Sequence, residues 1–260
     1  MMWRLGVAGS PILHSLSPQL HEAGLVLAGL SGTSERLEID RQHATRLGEL
    51  LPGSFDALSL TMPLKGLAHT YCDEVDQVAT RTRSVNSIVA RGDRLHGTST
   101  DGQGFLNALV QELGVSVEGR RAVVLGAGGA ASAIIDALVH AGADRVDILS
   151  RRTEKIVELS ARYSNVGERT QAAASIDLVV NTLPSSGRTE VASVLDGVSS
   201  RTIAVDITYE PLTSPWRVVY EQAGCRTQNG LAMLAHQAAL QMQWWWDVEI
   251  SGSNLLTVIS

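Results

Sequence analysis

The sequence predicts an α/β protein of two domains: an N-terminal α/β domain, then a Rossmann-like, doubly wound domain. Three observations carry this. Short apolar runs alternate with helix-like segments along the whole chain, the pattern of a sheet covered by helices. From about residue 120 those runs become continuously apolar, as in "RAVVL", "RVDIL", "DLVVN" and "TIAVD", as expected of parallel strands buried on both faces. Between the first of them and the helix after it lies the glycine-rich turn "GAGGA" at 126–130.

The elements follow in order. "WRLGVAG" reads as the first strand, and "SPQLHEAGLVLAGL" as a helix with Ser17 as its cap and Pro18 at its first position. "TSERLEI" and "FDALSLT" are further strands flanking the helix-like "HATRLGELL". "SVNSIVA" and "LHGTST", joined by the turn residues "RGDR", predict a hairpin or a neighbouring pair. "DGQGFLNALVQELG" is a connecting helix. Strand, glycine turn and helix follow in "RAVVLGAGGAASAIIDALVHAG", then strand "RVDILS", helix "TEKIVELSARY", and strands "SIDLVVNTLP" and "RTIAVDITY". The last long helix, "NGLAMLAHQAALQMQWWWDV", is apolar on more than one face, so it is expected to pack between elements. The change of texture places the domain junction near 101–104.

Composition narrows the classes of function. The 260 residues carry a formal net charge of −6, which argues against general nucleic-acid binding. The two cysteines, Cys72 and Cys225, stand in unrelated contexts, so neither a disulfide framework nor a zinc site is expected, and a reducing cytoplasm fits. "AVVLGAGGAASAII" is the longest apolar stretch and is broken by glycines, below what a membrane helix requires. The N-terminus enters a strand at once and does not read as a signal sequence. The expectation is a soluble, cytoplasmic globular protein with no metal, membrane or nucleic-acid partner; a monomer and a homodimer both remain open.

Gly126, Gly128 and Ala131 form G-x-G-x-x-A between strand and helix, the arrangement that brings backbone to a pyrophosphate at a helix N-terminus. The second strand ends in Ser150, Arg151 and Arg152, with Lys155 one turn on. An NAD site commonly has an acidic residue there; two guanidiniums and an ammonium instead suit a 2′-phosphate, so the cofactor expected is NADP. A solvated charged helix start is the plainer alternative. Ser15 and Ser17 could bind a carboxylate or a polyol, though serines before a helix are usually caps, and His14 and His21 read as packing or surface residues. Asp101 opens a helix, where an aspartate is commonly only a cap. "TMPLK" at 61–65 sends Lys65 out where a buried strand breaks into a turn.

Taken together, these stretches resemble the shikimate dehydrogenases over nearly the whole chain. The motifs run in order as "SPILHSLSP", "LTMPLK", "VNS", "STDGQGF", "GAGGA", "SRR", "NTLP", "DITYEPLTSPW" and "NGLAMLAHQ". The resemblance implies reversible reduction of 3-dehydroshikimate to shikimate with NADP(H). Ser15 and Ser17, helped by Tyr209, would bind the carboxylate. Thr61, Asn86, Asp101 and Gln237 would face ring hydroxyls, and Lys65 would be the acid/base residue paired with Asp101. Gly126, Ala127, Gly128, Gly129, Ala130, Ser150, Arg151, Arg152, Lys155 and Thr182 would hold the cofactor, with Ile207, Gly230 and Met233 near its nicotinamide. The implied architecture is a substrate domain of 1–101, completed by the returning segment 231–260, and a nucleotide domain of 102–230, with the site in a cleft between them. Three serines depart from the pattern: Ser59 and Ser99 at usual Asn positions and Ser87 at a usual Thr. A quinate-type dehydrogenase on another polyhydroxy ring acid remains the alternative, and a non-catalytic nucleotide sensor a more distant one. The chemistry is coherent in its own right: hydride delivery to a carbonyl carbon develops negative charge on oxygen, and a positioned ammonium both stabilises and protonates it.

Overall fold

The computed structural model describes residues 2–169, 175–184 and 194–260. The chain divides into two compact units, Met1–Glu112 with Met233–Ser260, and Leu113–Ala232.

The first unit opens with β1 (Met2–Gly9), α1 (Ser17–Leu27), β2 (Ser31–Glu38), α2 (Arg46–Leu50) and β3 (Ala57–Leu60). It continues with α3 (Lys65–Ala68), β4 (Glu74–Val75), α4 (Gln77–Thr82), β5 (Ser87–Arg91), β6 (Arg94–Thr98) and α5 (Asp101–Leu113). The sheet order is β2-β1-β3-β5-β6-β4. β1 pairs in parallel with β2 and β3, whereas β3–β5 and β5–β6 are antiparallel. The expected pair at "RGDR" is therefore a hairpin, turned at Gly92 with φ +63°, where glycine escapes the Cβ penalty. α4 was not foreseen in the sequence, although Asp76 caps it by accepting from the Ala79 N–H at 2.7 Å.

The second unit is β7 (Arg121–Leu125), α6 (Gly129–His140), β8 (Arg145–Leu149), α7 (Thr153–Ser160), β9 (Val166–Glu168), β10 (Leu178–Asn181), β11 (Ile203–Asp206), α8 (Pro215–Gln222) and β12 (Arg226–Gln228). Its strands pair in parallel in the order β12-β11-β10-β7-β8-β9. Counted from β7, that is 3-2-1-4-5-6 read from the other edge, the doubly wound arrangement whose chain reverses direction beside the first strand. α8 was also unforeseen, yet its signals were present: Ser214 accepts from the Arg217 N–H and Pro215 opens the helix.

α9 (Leu231–Trp246) and α10 (Gly252–Ile259) close the chain. α9 is buried along most of its length. Its Ala235, Ala238, Ala239, Met242 and Trp245 pack with Leu5, Leu20, Ala57 and Val89 of the first unit. The division falls one helix later than the 101–104 junction the sequence suggested, because α5 belongs with the first unit up to Glu112. The reason is close packing of α5 on α9: a Cβ on Gly104 would lie 2.6 Å from Gln237 Cβ and 2.7 Å from its backbone. The aspartate and glycines of "STDGQGF" mark a helix start, and packing alone determines which core that helix joins.

Candidate active site

The turn after β3 delivers Lys65 as the first residue of α3, and β6 runs into Asp101 at the start of α5. Lys65 Nζ donates to Asp101 Oδ2 at 2.7 Å, with the carboxylate side chain only 3% exposed and the lysine 18%. This is no surface ion pair. The second oxygen, Oδ1, accepts from Asn86 Nδ2 at 2.9 Å. Both oxygens of Asp101 thus serve side chains of the site, and neither caps α5.

Asn86 is the hub. Its Oδ1 accepts from the Thr100 N–H at 2.8 Å, which fixes the amide with Nδ2 toward Asp101. That nitrogen has two hydrogens and three acceptors within reach: Asp101 Oδ1, Thr100 Oγ1 at 3.0 Å and Gln237 Oε1 at 3.1 Å. Gln237 is oriented in turn, because its Nε2 donates to the Leu234 carbonyl at 3.0 Å. Thr100 ties the group together by donating to the Gln237 carbonyl at 3.0 Å. The structure therefore brings Lys65, Asn86, Asp101 and Gln237 into one network. Thr100 is a member the sequence reading missed, although it stands inside the quoted "STDGQGF".

Behind the hub lies a second layer, also missed. Gln241 Nε2 donates to the Asn86 carbonyl at 2.9 Å, and Ser59 Oγ donates to Gln241 Oε1 at 2.7 Å. His21 Nε2 lies 2.8 Å from Ser59 Oγ, and its Nδ1 lies 2.8 Å from Ser34 Oγ. Spacing by one helical turn puts Gln237 and Gln241 on the same face of α9. His21 is fully buried, and burial pushes its ring down to about 3. A histidine of the unfolded chain titrates near ~6.5, so between those values the unfolded state binds the extra proton. Stability from this group is intact above pH 6.5 and is lost as the pH falls toward 3. Acidification from pH 7 to pH 5 is expected to remove about 2 kcal/mol through His21. Denaturant melts of wild type and His21→Gln check this: the wild type should lose that much more between the two pH values.

Ser15 lies on the loop between β1 and α1. Ser17 does not cap α1: Leu16 holds the cap position, Ser17 is the first helical residue, and its N–H donates to Ser15 Oγ at 3.3 Å. The loop is fastened from β2. Glu38 accepts from Ser10 Oγ at 2.5 Å and from the Ile12 N–H at 3.2 Å, and Arg36 donates twice to the Ser15 carbonyl. The Ser10 N–H donates to the Met62 carbonyl at 2.9 Å, joining this loop to the turn that carries Thr61 and Lys65. Of the three departing serines, Ser59 and Ser87 are committed inward, the latter accepting from Trp245 Nε1 at 2.8 Å. The buried Ser99 hydroxyl has no partner among the described residues.

In the second unit, Gly126 adopts φ +108°, and a Cβ there would lie 2.4 Å from Thr182 Oγ1. Only glycine fits both the turn and the contact. Gly128 caps α6, with Gly129 and Ala130 in its first turn and Ala127 buried beneath. A Cβ on Gly128 would lie 3.7 Å from Arg152 Nη2, so this guanidinium borders the glycine loop. Arg151 and Arg152 are exposed, and the Arg152 N–H donates to Ser150 Oγ at 3.2 Å. Lys155 Nζ is held by Glu158 at 2.5 Å. Ile207 and Gly230 meet, a Cβ on Gly230 falling 2.0 Å from the Ile207 carbonyl oxygen. Tyr209 follows β11 in the same unit, and Met233 is buried in α9. Among the described residues no group of three or more His, Cys, Asp and Glu side chains could hold a metal ion, and no helix is long and apolar enough to cross a membrane.

The chain is similar to known proteins over nearly its whole length. Residues 7–88 match the shikimate dehydrogenase substrate binding domain, and residues 121–210 match the family described as NADP oxidoreductase, coenzyme F420-dependent. The shikimate dehydrogenase (NADP(+)) of Geobacillus kaustophilus is 32% identical over 254 residues, covering 92% of this chain and 91% of that protein. That of Symbiobacterium thermophilum is 34% identical over 259 residues, covering 93% and 88%. The shikimate 5-dehydrogenase of Thermus thermophilus, solved in complex with NADP(H) and shikimate, superposes with a TM-score of 0.85 at 31% identity, covering 99% of this chain and 98% of that one. With near full-length identity above 30% to such enzymes, the chain belongs to the shikimate dehydrogenase family.

Proposed function

We propose that the protein catalyses the reversible, NADP(H)-dependent reduction of 3-dehydroshikimate to shikimate. The observation that carries this reading is the Lys65–Asp101 pair at 2.7 Å, its carboxylate buried, with Asn86 on the other carboxylate oxygen. The first unit serves as substrate domain and the second as nucleotide domain. The residues present fit a dinucleotide: a glycine turn carrying no side chain larger than a methyl at the start of α6, bordered by the Arg152 guanidinium, suits phosphates. When bound, the nicotinamide supplies or accepts the hydride.

The chain's own groups do the rest. Lys65 Nζ donates a proton to the oxygen of the ring ketone as it becomes an alcohol, and takes it back in the reverse direction. Asp101 holds that ammonium in place and, with Asn86 and Gln237, accepts or donates at neighbouring ring hydroxyls. Asn86 Nδ2 has more acceptors than hydrogens, so a ring hydroxyl can enter the network by exchange, leaving no buried group unpaired. Ser15 and Ser17 bind the carboxylate, on a loop that Glu38 and Arg36 keep in shape. Arg151 and Arg152 bind the 2′-phosphate; Lys155, held by Glu158, is at most a secondary contact.

A spectrophotometric assay with shikimate and quinate, each with NADP and NAD, tests the reading. Shikimate with NADP should give the highest kcat/KM; preference for quinate, or no oxidation at all, would overturn it. In the same assay Arg151→Ala/Arg152→Ala should raise KM for NADP about tenfold, with NAD little affected, since one charged hydrogen bond contributes ~1.5–3 kcal/mol and the exposed setting favours the low end. An unchanged NADP preference would make both arginines a solvated helix start.

A further inference from the structure

The layer behind Asn86 has a definite direction. Ser59 has one hydroxyl hydrogen, and it goes to Gln241 Oε1. Ser59 must then accept from His21, which puts the imidazole proton on Nε2 and leaves Nδ1 to accept from the Ser34 hydroxyl. Gln241 passes the direction on by donating to the Asn86 carbonyl. The result is one ordered chain, Ser34 to His21 to Ser59 to Gln241 to Asn86, with every link between 2.7 and 2.9 Å. Trp245 adds a second support, meeting the His21 ring edge-on at 5.2 Å while its Nε1 donates to Ser87, the residue after Asn86.

We propose that His21, as the neutral Nε2–H tautomer, is a positioning residue for the reaction: through Ser59 and Gln241 it fixes the backbone at Asn86, and with it the amide that aligns Asp101. Its full burial keeps the ring neutral near pH 7, and so preserves the one tautomer in which every donor in the chain meets an acceptor. An amide rotated at Gln241 would face the Asn86 carbonyl with an oxygen, leaving two acceptors opposed. The proposal rests on the reading of this pocket as the shikimate site.

Side-chain length separates the two ring nitrogens. A glutamine nitrogen stands where His Nε2 stands and can donate to Ser59, whereas an asparagine nitrogen stands nearer the Nδ1 position. His21→Asn and His21→Met should raise KM for shikimate about tenfold, with KM for NADP unchanged and kcat reduced less. His21→Gln should recover most of the loss. Gln241→Met breaks the chain at its other end without touching the histidine and should give the same phenotype, and His21→Met/Gln241→Met should be no worse than either single variant. Additive losses, a wild-type shikimate KM in folded His21→Met, or no recovery by His21→Gln would each overturn the proposal. Should His21→Met fail to fold, Gln241→Met and His21→Gln decide the matter. Nitrogen NMR of wild-type His21 is an independent readout: a neutral Nε2–H ring at pH 6 is expected, and the other tautomer would refute the chain. A wild type inactive on shikimate would instead remove the substrate reading, while the tautomer and the Asn86 side-chain amide shift in His21→Gln against His21→Asn would still judge the positioning role.

Discussion

Replacing Lys65 by alanine is expected to lower kcat by about 10²–10⁴-fold, the usual contribution of a positioned acid/base group, and to leave KM for NADP close to wild type. The cofactor term is spared because Lys65 belongs to the first unit, whereas the glycine turn and the arginines belong to the second. The alanine also strands the Asp101 carboxylate, which is nearly inaccessible and, among the described residues, keeps only the Asn86 amide as a partner. A buried carboxylate deprived of its cation is costly, so the melting temperature should fall as well. Turnover must therefore be measured at a temperature where circular dichroism shows the variant folded. A folded Lys65→Ala enzyme retaining a third of wild-type turnover would end the assignment of this lysine as the proton donor.

Asp101→Asn is expected to lose turnover on a similar scale, with a higher KM for shikimate, although the substitution preserves shape. Both partners of the carboxylate are donors: the Lys65 ammonium on one oxygen and Asn86 Nδ2 on the other. An amide has one oxygen to offer. If it faces Lys65, its own NH2 opposes that of Asn86; if it faces Asn86, its NH2 opposes the ammonium. Asn86 cannot turn to relieve this, because its oxygen is held by the Thr100 N–H. A helix cap would behave in the opposite way, since Asn and Asp cap about equally well. Steady-state kinetics with shikimate varied at saturating NADP distinguish the two, and unchanged kcat and KM would restore the role of cap.

The doubly wound domain was legible from sequence because its signals are local and strong. Continuous apolar strands, a glycine turn in the required position and alternating helices leave few arrangements for a parallel sheet. α3, α4, α8 and α10, each at most eight residues long, went unread even where a capping serine or aspartate marked the start; so few residues leave the apolar period weakly defined, and only some short helices can be read from it.

The chemistry divides along the same line. By itself the sequence determined which ionisable groups are available: a lysine behind a buried strand, an aspartate opening a helix, and arginines where an NAD site has an acid. Tertiary structure decided what those groups meet. Lys65 and Asp101 come together because β3 and β6, separated by β5 and antiparallel to it, run the same way and end at the same edge of one sheet. Gln237 and Gln241 arrive on α9, far along the chain, because Gly104 lets α5 approach it closely. Serines and histidines are weak signals in a sequence, since each is as often a cap or a surface residue as anything else. Ser59, His21 and Thr100 acquire meaning only when hydrogen-bond direction can be counted, and that count requires positions that residue type and spacing do not contain.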